Sequence, residues 1–390
     1  MSAEPLNVED QWLIPTYAKL PLKITRGEGS YIWDAEDRRL IDFATGYGTA
    51  ILGHRPPMVT AAIVDQVGKL MVCHGSLYND ARQRFLEALS LAAPKGLDKA
   101  FLCNSGAEAV EAAMKLAVKK SGKKGFVAFQ GAYHGKTLGA LSLTWGSKYR
   151  EPYQSVLLPT KFARYGDSSS VAQLIDGETA AVMVEPVQGE AGIRVPPSGF
   201  LKEVEETCRH AGVLLIVDEI QSGMGRTGRL WAHEHSGIRP DIMCFGKGLA
   251  SGIPIGSVLT TTEVASVWSK GEHTTTFGGN PISCAAGAAT LNEVISKKLW
   301  LNAADMGSRL MEVFERLPHS VVREARGVGL MLAVETKQPS SPVIRKLLSS
   351  GLLPIPTGLN VVRMLPPINI DATVLAEAVP IIETAFKEDA

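Results

Sequence analysis

Short apolar runs alternate with amphipathic stretches between residues 100 and about 260. The runs are rich in β-branched and aromatic residues, which favours strands over helices. They read KAFLC, GFVAF, AAVMVEP, LLIVDEI, DIMCFG and GSVLTT. Several of the intervening stretches have the spacing of apolar positions that is typical of helices. This alternation predicts an α/β domain in which helices cover a mostly parallel sheet.

One helix of this region has a clear predicted start. Ser105 precedes Glu108 by three positions, which is the spacing of a capping box. The helix follows the strand KAFLC, so the unpaired N–H groups of its first turn, at Gly106 and Ala107, are placed to bind a phosphate group. An ordinary capped helix, in which Ser105 serves only as the N-cap, is the alternative interpretation.

The two ends of the chain have a different pattern. GEGSYIWDAEDRRLIDF predicts a hairpin with its turn at DAED. A helix near residues 301–317 precedes VVREARGVGLMLAVE, an amphipathic stretch from Ser341, the run NVVRMLPP and a final helix. Because 390 residues exceed the length at which one core stops growing, we expect two domains. Residues 51–298 form the predicted large domain, and residues 299–390 form a smaller α+β domain, which the N-terminal segment 1–50 joins.

Two charged residues stand where buried strands are expected to end. Asp218 closes the run LLIVD, and Lys247 follows the run DIMCF. Ligands bind at the carboxyl ends of parallel strands, and a carboxylate that leaves water there needs a cation or strong donors. A protonated pyridine ring provides such a cation, and a lysine with a lowered pKa can form a Schiff base with an aldehyde. The pair therefore indicates pyridoxal phosphate, with a buried ion pair beside a surface lysine as the alternative.

Further candidate residues follow the other predicted strands. Tyr133 and His134 lie between glycines in GAYHGK, where an aromatic face can stack on a flat cofactor ring. Lys136 is placed to neutralise a substrate carboxylate, with a solvated surface lysine as the alternative. Glu185 ends a strand and Glu190 lies in a glycine-flanked turn. Such loops hold either substrate contacts or carboxylates that face water.

Two polar segments and one arginine complete the predicted site. In DEIQSGMGRTG, the amide of Gln221 can donate to the phenolic oxygen of the cofactor. In HTTTFGGNP, Thr275 is placed to contact substrate and Thr276 to bind phosphate, unless this is a plain polar loop before an Asn-capped helix. Arg363, in NVVRMLPP, is placed to grip a carboxylate with two hydrogen bonds or to serve as a structural ion pair.

Composition narrows the functional classes. Forty basic and forty acidic residues balance, so no overall field recruits nucleic acid or an anionic membrane. Five scattered cysteines without a CxxC pair, and no apolar stretch of ~18 residues, indicate a reduced, soluble, cytoplasmic protein. His233 and His235 have no third ligand beside them, so no metal site is predicted. A nucleotide-binding dehydrogenase is excluded because no GxGxxG motif opens a strand–helix unit.

Seven ordered segments together resemble the class III, acetylornithine/ornithine-type aminotransferases. They are NSGAEA, AYHGK, VEPVQGEAG, DEIQSGMGRTG, FGKGLASG, TTFGGNP and RMLPP, and they span almost the whole chain. Within that family, SLTWGSKYREPYQ and the compact length are most similar to the archaeal-type transaminases that act on LysW-linked aminoadipate or glutamate semialdehyde. The resemblance implies a homodimer of PLP-dependent transferase fold type I, with active sites at the subunit interface.

The resemblance also implies a role for each matching residue. Lys247 matches the Schiff-base lysine, and Asp218 matches the partner of the pyridine nitrogen. Arg363 matches the arginine that holds the α-carboxylate of glutamate, and Glu190 matches the acid that pairs with this arginine for amine donors. Lys136 stands where the family usually has arginine, so it keeps the charge but loses the planar fork. Cofactor contacts are implied for Gly106, Ala107, Tyr133, Asp218, Glu219, Ile220, Gln221, Lys247 and, from the neighbouring subunit, Thr276. Substrate contacts are implied for Lys136, Glu190, Thr275 and Arg363.

The implied reaction is a ping-pong transfer in which glutamate leaves as 2-oxoglutarate and a semialdehyde receives the amine. If the small acidic protein LysW carries the semialdehyde, a basic rim should surround the active-site mouth. An acetylornithine aminotransferase on free N-acetylated substrates, or an ornithine or 4-aminobutyrate aminotransferase, is the alternative. A non-enzymatic interaction protein with the same fold is an alternative from a different class. The candidates for the basic rim are Lys119, Lys120, Lys123 and Lys124, or Lys148 and Arg150.

Overall fold

A computed structural model describes residues 8–387 of the chain. Its helices are α1 (Val8–Trp12), α2 (Thr45–Gly48), α3 (Pro57–Val67), α4 (Asp80–Ala92), α5 (Gly106–Ser121), α6 (Leu138–Leu143), α7 (Ser147–Arg150), α8 (Ser169–Leu174), α9 (Phe200–Ala211), α10 (Thr262–Ala265), α11 (Pro281–Ser296), α12 (Leu299–Glu315), α13 (Ser341–Ser349) and α14 (Ala372–Ala385). Its strands are β1 (Ile24–Glu28), β2 (Tyr31–Asp34), β3 (Arg39–Asp42), β4 (Lys99–Cys103), β5 (Gly125–Phe129), β6 (Thr160–Ala163), β7 (Thr179–Val184), β8 (Leu214–Asp218), β9 (Ile242–Phe245), β10 (Gly256–Thr260), β11 (Val322–Val328), β12 (Met331–Thr336), β13 (Leu352–Leu353), β14 (Ile355–Thr357) and β15 (Val361–Met364).

A seven-stranded sheet with the order β4-β10-β9-β8-β7-β5-β6 forms the centre of the molecule. Strands β6, β5, β7, β8 and β9 run parallel, and β10 is antiparallel to both of its neighbours. The predicted mostly parallel, mixed sheet is therefore confirmed. Strands β7 and β9 are buried along their whole length, as expected for apolar runs that helices cover on both faces.

The parallel strands bring several loops to one edge of the sheet. β9, β8, β7 and β5 are four consecutive strands of the sheet, and they end at Phe245, Asp218, Val184 and Phe129. The loops that follow carry the predicted Tyr133, Glu190, Gln221 and Lys247. This edge is where ligands bind in open α/β sheets.

Helix α5 begins where the sequence predicts. The Ser105 side chain caps it by accepting a hydrogen bond from the Glu108 N–H at 3.2 Å. The second half of the predicted capping box is different: the Glu108 carboxylate accepts the N–H of Asn104, at 2.9 Å, rather than that of Ser105. The helix ends at Gly122, whose φ of 71° lies in the left-handed region that glycine tolerates.

Two smaller sheets lie outside the central one. One has the order β11-β12-β15-β14 and is antiparallel throughout, and we call it the C-terminal sheet. In the other, the predicted N-terminal hairpin β2–β3 is present, and β3 pairs in parallel with β13. The Asp34 carboxylate fixes the hairpin turn by accepting the N–H groups of Glu36 and Arg38. The proposed division into domains at residues 50 and 298 stays a prediction.

Within residues 8–387, no helix has the length and apolar character that a membrane crossing requires.

Candidate active site

A cavity of about 200 Å³ lies at the carboxyl edge of the central sheet, beside the first turn of α5. It gathers side chains from five separate stretches of the chain. The lining residues are Gly106, Ala107, Tyr133, His134, Gly135, Lys136, Glu185, Glu190, Asp218, Ile220, Gln221 and Lys247. Most of the residues predicted for the site are thus brought together in one place.

Asp218 is the last residue of β8, and its carboxylate is buried where the strand meets the cavity. One oxygen lies 2.6 Å from Nδ1 of His134, and the other accepts the N–H of Ile220 at 2.9 Å. Burial alone would lower the pKa of His134, but the hydrogen bond and charge of Asp218 outweigh it and raise that pKa. An ionic hydrogen bond between two buried groups therefore fixes the orientation of the Asp218 carboxylate.

Lys247 follows β9 and Gly246 on a short 3₁₀ turn. Its φ of 42° lies in the left-handed region, which is unusual for a residue with a side chain and is typical of functional sites. Burial lowers the pKa of Lys247, although the charges of Glu190 and Asp218 oppose this shift. The neutral amine, which is the nucleophilic form, is therefore more populated than on an exposed lysine.

Glu185 ties two active-site loops together. Its carboxylate accepts the N–H of Tyr133 at 3.0 Å and the N–H of Gly189 at 3.2 Å. Burial raises the pKa of Glu185 to about 7, the charge of Asp218 adds to the shift, and the charge of His134 opposes it. From the sequence, Glu185 was a candidate substrate contact or a carboxylate that faces water, and His134 had no assigned role. A carboxylate at the end of a fully apolar strand was the available signal for Glu185.

Arg363 and Glu190 form an ion pair beside the cavity, although 173 positions separate them in the sequence. Nη1 of Arg363 lies 2.7 Å from the Glu190 carboxylate and donates to Oε1 of Gln221 at 3.2 Å. Burial raises the pKa of Glu190, but Arg363 outweighs this effect, so the pKa is lowered. Nε of Arg363 has no hydrogen-bond partner within the described residues, so the guanidinium retains a donor for a further acceptor.

The mouth of the cavity is more exposed. Lys136 lines it, and its Nζ lies 5.1 Å from the ring centre of Tyr149. Nζ of Lys148 lies 4.6 Å from the centre of the same ring. The ammonium groups of two lysines therefore contact the ring of Tyr149 at the entrance. These two groups give the entrance a positive charge.

Four predicted residues do not line this cavity: Arg363, which lies beside it, and Thr275, Thr276 and Glu219. Thr276 is exposed, and Oγ1 of Thr275 accepts a hydrogen bond from the Asn104 side chain at 3.2 Å. Their roles stay predictions that depend on a second subunit. The side chain of Glu219 turns away from the cavity towards His233 and Ser222, at 2.9 and 2.7 Å, so only its backbone remains a candidate contact. The predicted cofactor contact of Glu219 stays a prediction.

The residues of the cavity fit pyridoxal phosphate. The first turn of α5 presents the N–H groups of Gly106 and Ala107 and the positive end of the helix dipole to a phosphate. Each carboxylate oxygen has two lone pairs, so Asp218 keeps acceptor capacity for a ring N–H after its two observed bonds. Lys247 supplies an amine for the aldehyde, and Tyr133 an aromatic face for the ring.

The chain is similar to known proteins over nearly its whole length. The family model of the class III aminotransferases matches residues 14–386. An acetylornithine aminotransferase of Methanopyrus kandleri is 45% identical over 326 residues, which cover 84% of each chain. A LysW-aminoadipate semialdehyde transaminase of Deinococcus radiodurans is 40% identical over 385 residues, covering 98% of this chain and 89% of the other.

One solved structure shows that the similarity extends to three dimensions. The ornithine aminotransferase of Toxoplasma gondii superimposes with a TM-score of 0.93 at 33% identity. The match covers 97% of this chain and 93% of the other. Partial occupancy of pyridoxal phosphate at the active site was found in that structure.

The raised pKa of Glu185 predicts a pH dependence of stability. Its pKa rises from 4.5 in the unfolded chain to about 7 in the folded protein, so between these values only the folded protein holds the proton. This contribution is present in full below about pH 4.5 and is lost as the pH rises through about 7. As the pH rises from about 5 to about 8, the melting temperature of Glu185→Gln should therefore fall less than that of the wild type.

Glu178→Gln is the control, because Glu178 is exposed. Its melting temperature should follow the wild type at each pH. Parallel curves for the wild type and Glu185→Gln would contradict the prediction.

Proposed function

This chain belongs to the class III aminotransferases, which depend on pyridoxal phosphate, and we propose that it transfers the amino group of glutamate to a semialdehyde borne by an acidic carrier protein. The family match and the neighbouring structure confirm the resemblance, the fold type and the cofactor that the sequence predicts. The donor, the acceptor and the residue roles are the proposed part.

The bound cofactor supplies a ring that accepts the electron pair left on the substrate when a proton departs. Asp218, held by His134, would accept a hydrogen bond from the ring nitrogen of the bound cofactor and favour its protonated form. Lys247 would hold the cofactor through its aldehyde and take up and return the substrate proton at Nζ, because burial favours the neutral amine. The N–H groups of Gly106 and Ala107 hold the phosphate.

The ion pair between Arg363 and Glu190 is the observation that carries the choice of glutamate. A donor with an α-carboxylate needs a free guanidinium at this position, whereas an ω-amine without a carboxylate there needs that charge neutralised. Glu190 neutralises Arg363 at 2.7 Å. In the proposed reaction, a substrate carboxylate replaces Glu190 on Arg363. One cavity therefore accommodates both the dicarboxylate donor and the semialdehyde acceptor.

The two sets of candidate rim residues differ in position. Lys119 and Lys120 form ion pairs with Glu272 and Glu263 and lie near the end of α5, about 20 Å from its first turn. Lys148 lies at the cavity entrance, on the ring that Lys136 also contacts. The proposed docking rim is therefore Lys148 and its neighbour Arg150.

The acceptor has one rival that a relative supports. The Methanopyrus kandleri relative is an acetylornithine aminotransferase, and its 45% identity favours a free N-acetylated substrate. The Deinococcus radiodurans relative, whose match spans 98% of this chain, favours the LysW-linked substrate. The positive entrance at Lys136 and Lys148 supports the acidic carrier.

A homodimer is part of the proposal. Thr276 is exposed beside Phe277, which is 61% exposed, and a group of large apolar side chains is also exposed in the loop between α3 and α4. Such a surface is typical of an interface rather than of a monomer. Covering it with a second copy would let Thr276 reach the phosphate of the neighbouring site. The apolar residues of the loop are Leu70, Met71, Val72, Leu77 and Tyr78.

Exchange of either ion-pair partner tests the choice of donor. Arg363→Gln should raise the KM for glutamate about tenfold or more, because a bidentate ionic contact is lost. Glu190→Gln should lower the KM for glutamate and slow the reverse reaction with the ω-amine product. The reason is that glutamine has no charge to compensate the guanidinium of Arg363. The two half-reactions are measured separately by rapid mixing. Equal effects of both substitutions on both half-reactions would contradict the proposal.

Charge reversal at the entrance tests the carrier. Lys148→Glu combined with Arg150→Gln should lower kcat/KM for the carrier-linked semialdehyde about tenfold, because steering of an acidic partner is lost. The same variant should use the free N-acetylated semialdehyde as the wild type does. Lys123→Glu combined with Lys124→Gln, at the far end of α5, is the matched control and should leave both substrates unaffected. Equal use of both substrates by the wild type would support the free-substrate rival instead.

A further inference from the structure

Residues 185–194 form a closed loop that carries Glu190, and we call it the Glu190 loop. The loop is closed between Gln188 and Arg194, which exchange backbone hydrogen bonds of 3.0 and 2.9 Å. The carboxylate of Glu185, which follows strand β7, accepts a hydrogen bond from the N–H of Gly189. The side chain of Glu190 thus projects from a backbone that is largely fixed within itself.

Arg326 of strand β11 binds the backbone of this loop. Its Nε donates to the carbonyl oxygens of Gly192 and Ile193, at 2.8 and 3.1 Å. Its Nη1 donates to the carboxylates of Glu324 and Glu335, at 2.7 and 2.8 Å, which fix the guanidinium from behind. Hydrogen bonds from a charged donor are about twice as strong as neutral ones, so this contact is a firm anchor.

The two arginines that reach the loop come from one row of the C-terminal sheet. Ala333 of β12 is paired with Arg326 of β11 on one side and with Arg363 of β15 on the other. Residues directly opposite in an antiparallel sheet point to the same face. One face of the sheet therefore makes two contacts with the loop. Arg326 binds its backbone, and Arg363 binds the side chain of Glu190.

The conformation of the loop needs such support. Ile193 has a φ of 55°, which is strongly disfavoured for a β-branched residue and persists only where the surroundings impose it. Ile193 is fully buried and packs in one apolar cluster with Met331 and Ala333 of β12. At Gly192, whose φ is 86°, a Cβ would lie 3.1 Å from Nη2 of Arg326, which is closer than an ordinary van der Waals contact.

We infer that Arg326 is a positioning residue that holds the Glu190 loop in place while Arg363 exchanges Glu190 for a substrate carboxylate. The inference rests on the proposed function, in which Arg363 binds glutamate. A substrate carboxylate competes with the Glu190 side chain for Arg363, but it does not compete with backbone carbonyl groups for Arg326. The exchange is then a rotation of the Glu190 side chain over a fixed loop, and the loop does not move as a body.

Amide hydrogen exchange of the holoenzyme tests this inference in peptides that cover residues 187–195. Arg363→Gln reproduces the state in which Arg363 has released Glu190, so the loop should remain protected within about twofold of the wild type. The double variant Arg326→Gln, Arg363→Gln lacks both anchors, and its loop should exchange about tenfold faster or more. Peptides from strand β8 serve as the internal reference for intact folding.

Arg323→Gln is the matched control. Arg323 lies on the same strand and bonds to the same Glu335 at 3.0 Å, but more than half of its side chain is exposed. Its substitution should leave the loop protected as in the wild type. Arg326→Lys keeps a charge for Glu335 without the guanidinium, and it replaces Arg326→Gln in the test if that variant loses protection in β8.

Kinetics supply a second readout that a purely structural role would not move. Arg326→Gln should slow the glutamate half-reaction about tenfold while the cofactor absorbance of the holoenzyme stays unchanged. If Arg363→Gln alone loses protection as fully as the double variant, or if the double variant keeps it, the inference is overturned. If the wild type does not react with glutamate, the proposed donor is wrong, whereas the exchange comparison still decides what anchors the loop.

Discussion

The hydrogen bond between Asp218 and His134 is the interaction on which the rest of the site depends. A carboxylate at the end of a buried strand is costly unless a cation or strong donors accompany it. His134 supplies a donor at 2.6 Å and is itself buried, so the pair fixes the Asp218 carboxylate at the sheet edge. A carboxylate held there suits a protonated pyridine ring better than a neutral ligand.

The remaining charged residues of the site lie around the Asp218 carboxylate. Lys247 emerges beside it from β9, and burial favours its neutral form. Arg363 comes from a different sheet, and Glu190 compensates its charge. In the proposed function, the central sheet provides the residues that bind the cofactor, while Arg363 of the C-terminal sheet binds the substrate carboxylate in exchange for Glu190. This separation would let one cavity serve two substrates of different charge.

The residues that could be predicted from the sequence are those that follow from a local pattern of apolar and charged positions. Asp218 and Lys247 were found because apolar strands end at them, and parallel strands end at one edge. The roles of His134 and Glu185 were missed because they arise from burial and from contacts between segments that are 84 and 52 positions apart. The direction of the Glu219 side chain, towards His233, could not be predicted because the direction of a side chain in an irregular loop has no sequence signal.

The protonation state of the cofactor ring tests the central claim most directly. Nitrogen-15 NMR of the holoenzyme, reconstituted with pyridoxal phosphate labelled at the ring nitrogen, reports that state. We expect a protonated ring nitrogen in the wild type at neutral pH, and an unprotonated one in Asp218→Asn. An unprotonated nitrogen in the wild type, or the same spectrum in both proteins, would contradict it.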